Sequence, residues 1–351
     1  MDKFRVALSG DFRKADGSPT FPSFDLSPLT EDPDIEIVWA DPVEDAIPAS
    51  ALEGCHALIL LMPRFTRASV PSGGSLAAVA RFGVGYDNVD VAACSENAIS
   101  VIITPDGVRR PVAVSVITFV LALSQRLLIK DRLCRRGPEG WAERSDHMGE
   151  GLIGKTLGQL GMGSIGAEVF RLAVPFGMRF IAHDPYADEQ LAKSLGVELV
   201  SAEELFARSD FLSVSVPYSE ATHHYVNAAR LAAMKPTAFL INTARGPIVD
   251  QEALHQALRS GAIAGAGLDV FEQEPCPADE PLLKLENTIV TPHALCWTDQ
   301  CFAGNGAADV AALREIMRGR EPRGIVNRDI AENAEWKEKL ARFAERFGKA
   351  R

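Results

Sequence analysis

Residues Thr156 to Asp184, TLGQLGMGSIGAEVFRLAVPFGMRFIAHD, decide how the rest of the chain is read. Thr156 to Leu160 suits a short buried strand. Gly161, Gly163 and Gly166 spell G-x-G-x-x-G, and Ile165, Val169, Phe170 and Leu172 then recur at helical spacing. A second strand, Arg179 to His183, ends on Asp184, 18 residues after Gly166. Each part has a physical task. Gly161 permits a tight turn, Gly163 lets a pyrophosphate approach bare backbone, and Gly166 lets helix and strand pack closely. The helix N-terminus offers unpaired N–H groups and a partial positive charge to phosphates. A carboxylate at Asp184 can accept both hydroxyls of an adenosine ribose and would repel a 2′-phosphate, which favours NAD over NADP. A glycine triplet in an arbitrary loop would mean little; inside a strand–helix–strand frame it predicts a dinucleotide site.

The 351 residues are long for one core and comfortable for two domains. Hydrophobic residues make up 47% and charged residues 24%, the balance of an ordinary globular protein. A net charge of −11 argues against a nucleic-acid surface, which needs clustered basic residues. Cys55, Cys94, Cys134, Cys276, Cys296 and Cys301 are scattered without a C-x-x-C, so neither zinc nor a disulfide framework is expected, and the cytoplasm is the expected compartment. The N-terminus runs straight into a strand with no apolar leader. Pro111 to Gln125 is the longest uncharged helical run; it is shorter than the ~20 residues of a membrane span, and a buried helix is expected there.

Upstream of the glycine motif, Arg5 to Leu8, Ile35 to Trp39, Ala57 to Leu61, Leu76 to Phe82 and Ile99 to Ile103 read as buried strands, with Gly10 to Leu29 as a surface loop. That is a small open α/β domain. Pro111 suits the first position of the long apolar helix that follows. Arg135 to Gly151 is a polar excursion around Trp141, fit for an oligomer interface or an ordinary surface loop. Downstream, the alternation continues with helix Ala202 to Ala207, strand Phe211 to Val216, helix Ala228 to Met234 and strand Ala238 to Asn242. Helix Gln251 to Ser260 follows, capped by Asp250 and stopped by Gly261, then strands Ala264 to Val270 and Thr288 to Thr291. A C-terminal helix is expected over Ala307 to Met317, and Trp336, Leu340, Phe343 and Phe347 share one helical face that should pack on the body.

Arg245, Glu274 and His293 fall at or just after the ends of three successive strands. In a doubly wound parallel sheet those ends share one edge with the glycine turn. Singly, each has a bland explanation: a turn arginine, a solvated loop acid, a hydrogen-bonded core histidine. Together they suit hydride-transfer chemistry on a secondary alcohol. Histidine can take or give the hydroxyl proton, a neighbouring carboxylate stabilises the imidazolium, and arginine offers a two-pronged grip on a substrate carboxylate. Gly83 and Gly85, in RFGVGYDNVD, put bare N–H groups at another strand end.

In this ordered set, RFGVGYDNVD, LGMGSIG with Asp184, NTARGPIVD, GLDVFEQEP and TPHA, the chain resembles the D-isomer-specific 2-hydroxyacid dehydrogenases over nearly its whole length. The resemblance implies an α/β architecture of two Rossmann-like doubly wound domains. A nucleotide-binding domain, 109–297, would be inserted into a discontinuous substrate domain, 1–108 with 298–351, with the active site in the cleft. It implies NAD(H)-dependent interconversion of a D-2-hydroxyacid and its 2-oxoacid, with His293 as acid and base, Glu274 tuning it and Arg245 on the substrate carboxylate. It places Val84 and Gly85 N–H groups on that carboxylate, Ser164 and Ile165 on the pyrophosphate, and Val216, Pro217, Thr243 and Ala244 along the cofactor. Asp269 would hold the carboxamide, and members are usually dimers through the nucleotide-binding domain.

Two segments depart from the family pattern. Val112-Ala113 is followed by Val114 where an acid is common, and ALCWTDQCF replaces a run of small residues, so Trp297 either shapes the substrate pocket or packs between domains. Arg64, in MPRF, stands where such enzymes often contact substrate and could meet a second anionic group; Arg109 and Arg110 are weaker candidates, and the adjacent His223 and His224, which on a regular element would point to different faces, read as surface residues. Phosphite oxidation uses the same three residue types and stays open, whereas formate oxidation pairs the histidine with glutamine, against Glu274. A non-catalytic NAD-sensing corepressor also stays open, although the net charge and the lack of long interaction tails speak against it.

Overall fold

The computed structural model describes residues 2–348. The chain divides into two compact units, Met1–Val108 with Trp297–Arg351, and Arg109–Cys296. The first unit holds a five-stranded, wholly parallel sheet: β1 (Phe4–Ser9), β2 (Ile35–Ala40), β3 (Ala57–Leu60), β4 (Ala78–Arg81) and β5 (Ser100–Ile103), in the order β2-β1-β3-β4-β5. A parallel sheet is covered on both faces, so its strands are continuous apolar runs, as in β3, where all four residues are buried. The C-terminal helix Ala334–Phe347 packs on this body with Trp336, Leu340, Phe343 and Phe347 buried, the face its spacing predicts. Trp336 Nε1 donates to the Ala77 carbonyl at 3.0 Å, and buried Lys339 donates to the carbonyls of Leu76, Asn97 and Ala98.

The second unit holds a seven-stranded parallel sheet in the order β12-β11-β10-β9-β6-β7-β8. Its strands are β6 (Thr156–Leu160), β7 (Arg179–His183), β8 (Val197–Leu199), β9 (Phe211–Val214), β10 (Phe239–Asn242), β11 (Gly265–Leu268) and β12 (Thr288–Val290). Side chains alternate faces along each strand: Leu240 enters one apolar layer with Leu212 and Leu254, while Phe239 and Ile241 enter the other with Val116, Phe119 and Phe170. The chain leaves β6 toward β7 and β8, then returns to β9 on the other side of β6. That reversal places a crevice at the C-terminal ends of β6 and β9, where such sheets bind ligands.

Three expectations need correction. The long helix runs Pro105–Ser124, so Pro111 lies inside it rather than at its start. Pro105 is the opening proline, Asp106 sits in the first turn, and the helix tolerates the one backbone bond that Pro111 removes. At 20 residues this helix is also long and apolar enough to cross a membrane, by length and composition. It is nonetheless a core helix, with Ala113, Val116, Phe119, Val120 and Leu123 buried against the second sheet. The helix expected from Ala307 begins at Asp299, capped by Thr298. The Gly304-Asn305-Gly306 run looks like a breaker but is a packing requirement, because a Cβ on Gly306 would lie 2.2 Å from the Phe24 ring. The Arg135 to Gly151 excursion forms a short helix, Pro138–Ala142, and a 3-10 turn, Arg144–His147, with Trp141 exposed.

Candidate active site

The glycine turn lies at the switch point. Gly161 has φ +93°, and a Cβ there would stand 2.7 Å from the Ser215 carbonyl and 2.8 Å from the Val216 side chain, so β6 and β9 close on each other only through a glycine. A Cβ on Gly166 would meet the Gly161 carbonyl at 2.4 Å, which fixes how tightly the helix Ser164–Ala173 sits on the turn. A Cβ on Gly163 would meet nothing within 4 Å, which leaves open space in front of the first helical N–H groups at Ser164 and Ile165. Asp184 is tied to the same turn: Met162 N–H donates to Oδ2 and Tyr186 N–H to Oδ1, each at 2.8 Å. Each carboxylate oxygen keeps a second acceptor site. Open backbone donors beside an anchored carboxylate fit a dinucleotide's pyrophosphate and ribose.

Arg245, Glu274 and His293 follow β10, β11 and β12, which are adjacent and parallel, so all three leave the same sheet edge. His293 Nδ1 and Glu274 Oε2 are 2.7 Å apart, each side chain 35% exposed. The Phe271 N–H donates to Glu274 Oε1 at 3.0 Å. Burial alone would push the Glu274 carboxyl up. The hydrogen bond and charge of His293, the Phe271 N–H and the Arg245 guanidinium together hold it below the usual glutamate range. Glu274 is therefore a carboxylate at neutral pH, and Nδ1 of His293 carries the proton that it accepts. With Nδ1 donating, Nε2 is the acceptor nitrogen of the neutral ring.

The turn holding Arg245 is set by Asn242 at the end of β10. Its Oδ1 accepts from the Ala244 N–H at 3.0 Å and its Nδ2 donates to the Arg245 carbonyl at 2.9 Å. Thr243 and Ala244 lie half-buried in this turn, and Arg245 Nη1 donates to the Ala244 carbonyl at 2.6 Å. A Cβ on the next residue, Gly246, would stand 1.9 Å from the Phe271 carbonyl carbon, so the Arg245 turn and the Glu274 loop touch backbone to backbone.

His293 has φ +52°, a strained value for a residue with a side chain. Asp269, 3% exposed at the end of β11, holds that conformation. Its carbonyl accepts from the His293 N–H at 2.7 Å, and its carboxylate accepts from the Thr291 hydroxyl at 2.6 Å and from the Ala294 and Leu295 N–H groups. Neither Asn242 nor Thr291 stands out in the sequence, although an Asn at a strand end is an Asx-turn signal. His223 and His224 lie at the surface, but not on a regular element. The segment is an irregular turn, their rings stack at 4.0 Å, and His224 Nε2 pairs with Glu272 at 2.9 Å.

In the first unit, Val84 and Gly85 are half-buried just beyond β4. The preceding Gly83 N–H donates to Thr104 Oγ1 at 2.8 Å, and Thr104 donates to Asn305 at 2.9 Å. Arg64 pairs with Asp45 at 3.3 Å on the surface. Trp297 is 39% exposed and stands edge-on to Phe21 and Phe302. In the second unit, Val216 is half-buried beside the glycine turn, Pro217 is exposed, and Arg110 pairs with Glu168.

Residues 117–294 match the NAD binding domain of the D-isomer specific 2-hydroxyacid dehydrogenases. A glyoxylate reductase of Korarchaeum cryptofilum is 39% identical over 88% of this chain and 94% of its own length. The D-mandelate dehydrogenase of Rhodotorula graminis superposes with a TM-score of 0.78 at 27% identity, over 93% of this chain and 98% of that one. The D-lactate dehydrogenase of Aquifex aeolicus, solved with NAD and lactic acid, superposes with a TM-score of 0.76 at 28% identity, over 90% and 96%. With identity at this level running through most of its length, the chain belongs to the D-isomer specific 2-hydroxyacid dehydrogenase family and is an oxidoreductase of that class.

Proposed function

We propose that the protein interconverts a D-2-hydroxyacid and its 2-oxoacid, using NAD in preference to NADP. The observation that carries this reading is the 2.7 Å contact between His293 Nδ1 and Glu274 Oε2, at the sheet edge that also holds the glycine turn. A bound nicotinamide supplies the hydride donor or acceptor. His293 Nε2 takes the hydroxyl proton as the 2-oxoacid forms and returns it in the reverse direction. Glu274 stabilises the imidazolium between those events, and the Arg245 guanidinium grips the substrate carboxylate and polarises the adjacent carbonyl. The N–H groups of Val84 and Gly85 are assigned to the same carboxylate. The dinucleotide falls to Gly161, Gly163, Ser164, Ile165 and Gly166, with Val216, Pro217, Thr243 and Ala244 along it and Asp269 at its carboxamide. Asp184 supports NAD, because its anchored carboxylate would meet a 2′-phosphate with like charge.

Trp297 is assigned to the substrate side chain, and Arg64 to a second anionic group on dicarboxylic substrates. Exposed apolar side chains at Val114, Leu121, Leu127, Leu128, Trp141 and Met148 support a homodimer through the second unit. Six cysteines held as thiols support a cytoplasmic setting. The test is steady-state turnover of a 2-oxoacid panel with NADH and NADPH, in wild type and in His293→Ala. The variant should lose at least ~100-fold in kcat while still binding NADH. Near-normal turnover would remove His293 from the mechanism, and no turnover of any 2-oxoacid by wild type would favour phosphite chemistry or a binding role.

A further inference from the structure

The loop that carries Glu274 is fastened on both sides of that residue by one side chain. Gln251 is the first residue of the helix Gln251–Ser260, which Asp250 caps through the Ala253 N–H. Its Oε1 accepts from the Glu272 N–H at 3.0 Å, and its Nε2 donates to Glu280 Oε2 at 2.7 Å. Its own N–H, one of the orphan donors of a helix start, donates to Glu272 Oε1 at 3.0 Å, and that oxygen also meets His224 Nε2 at 2.9 Å. Glu280 is fixed in turn, since its Oε1 accepts from the Leu282 N–H at 3.1 Å. Residues 272 and 280 bracket Glu274. Upstream, the loop is already tied to the sheet by Asp269 and by buried Phe271.

We propose that Gln251 is a positioning residue for the oxidoreductase, acting through Glu274 by setting the path of the loop on which that carboxylate is presented to His293. A 2.7 Å contact between two side chains that are each a third exposed has little packing to hold it, so the backbone on either side must fix the carboxylate. The inference rests on the assignment of His293 and Glu274 given above.

The test is a double-mutant cycle on kcat for 2-oxoacid reduction, with NADH affinity followed by fluorescence titration. Gln251→Ala should lower kcat roughly 10-fold, inside the ~100-fold that an ångström of misplacement can remove, and leave NADH affinity unchanged. In a Glu274→Ala background the same substitution should change kcat less than about 2-fold, because nothing remains to position. Losses that multiply across the two backgrounds overturn the inference while leaving the His293–Glu274 assignment standing. A Glu274→Ala enzyme with wild-type kcat overturns both. The paired exchange Gln251→Glu with Glu280→Gln leaves an oxygen at position 251 to accept from the Glu272 N–H and reverses only the bond between 251 and 280, and it guards against a variant that merely fails to fold. It should restore most of the activity that Gln251→Glu alone loses, and failure of that rescue in a folded protein also overturns the inference.

Discussion

Replacing Glu274 with glutamine changes one atom and two properties of His293. The carboxylate accepts from the Phe271 N–H through Oε1 and from Nδ1 through Oε2, at 3.0 and 2.7 Å. An amide has one acceptor and one donor. If its oxygen keeps the Phe271 bond, its NH2 faces Nδ1, and the ring must place its proton on Nε2. The oxidising direction then loses its base outright. Both directions lose the charge that steadies the imidazolium. Unit charges about 4 Å apart at an effective dielectric of ~20 attract by about 4 kcal/mol. Solvent reaches 35% of each side chain, which screens this to roughly 2 kcal/mol. That is a factor of about 30 in rate. Glu274→Gln should therefore reduce kcat for 2-oxoacid reduction by roughly 30-fold. Oxidation of the hydroxyacid should fall further, by about 1,000-fold or more, as when a triad histidine is left in the wrong tautomer. Initial rates in both directions from pH 6 to 9, with NADH binding by fluorescence as the control for folding, measure this. Equal losses in the two directions would refute the tautomer reasoning, and losses under about 3-fold in both would refute the charge reasoning.

Three further outcomes are expected. Asp184→Ala should raise the Kd for NADH about 10-fold, as losing hydrogen bonds to a charged group does, and change that for NADPH far less; equal changes would remove Asp184 from cofactor choice. His56 is 6% exposed, stacks on Phe4 at 5.1 Å and is pushed down to about 4, chiefly by burial and then by the Arg5 charge. Its proton binds the unfolded chain below pH ~6.5 and the folded one only below about 4, so its stability contribution is complete above pH ~6.5 and falls by about 1.4 kcal/mol per unit on acidification. His56→Asn should therefore lose roughly 2 kcal/mol less than wild type between pH 7.5 and 5 in urea titrations of the first unit, and parallel losses would contradict it. Trp297→Ala should shift kcat/KM between glyoxylate and bulkier 2-oxoacids by about 10-fold, the scale of one packed side chain in a pocket; an unchanged ratio would make Trp297 a packing residue only.

What could be read from the sequence follows the range of the forces involved. The glycine turn, Asp184 and the helix Gln251–Ser260 with its Asp250 cap stand where local chemistry puts them, because caps and tight turns are settled within a few residues. Arg245, Glu274 and His293 were legible for a different reason. Parallel topology sends every strand's C-terminal end to one edge, so strand ends far apart in sequence become neighbours. Helix boundaries failed where tertiary packing overruled local preference, as at Gly304 and Gly306, whose missing side chains make room for Gly107 and Phe24. The allocation of hydrogen bonds was also out of reach, since which acceptor meets which donor depends on the assembled edge. Asp269 illustrates the consequence. The family resemblance assigns it to the cofactor, yet its carbonyl and carboxylate also hold the His293 turn through Thr291, Ala294 and Leu295. With the roles proposed above, whatever loosens Asp269 would displace His293 as well as the cofactor contact. Its replacement should therefore depress kcat even where the cofactor is saturating, a signature that a residue serving cofactor affinity alone would not give.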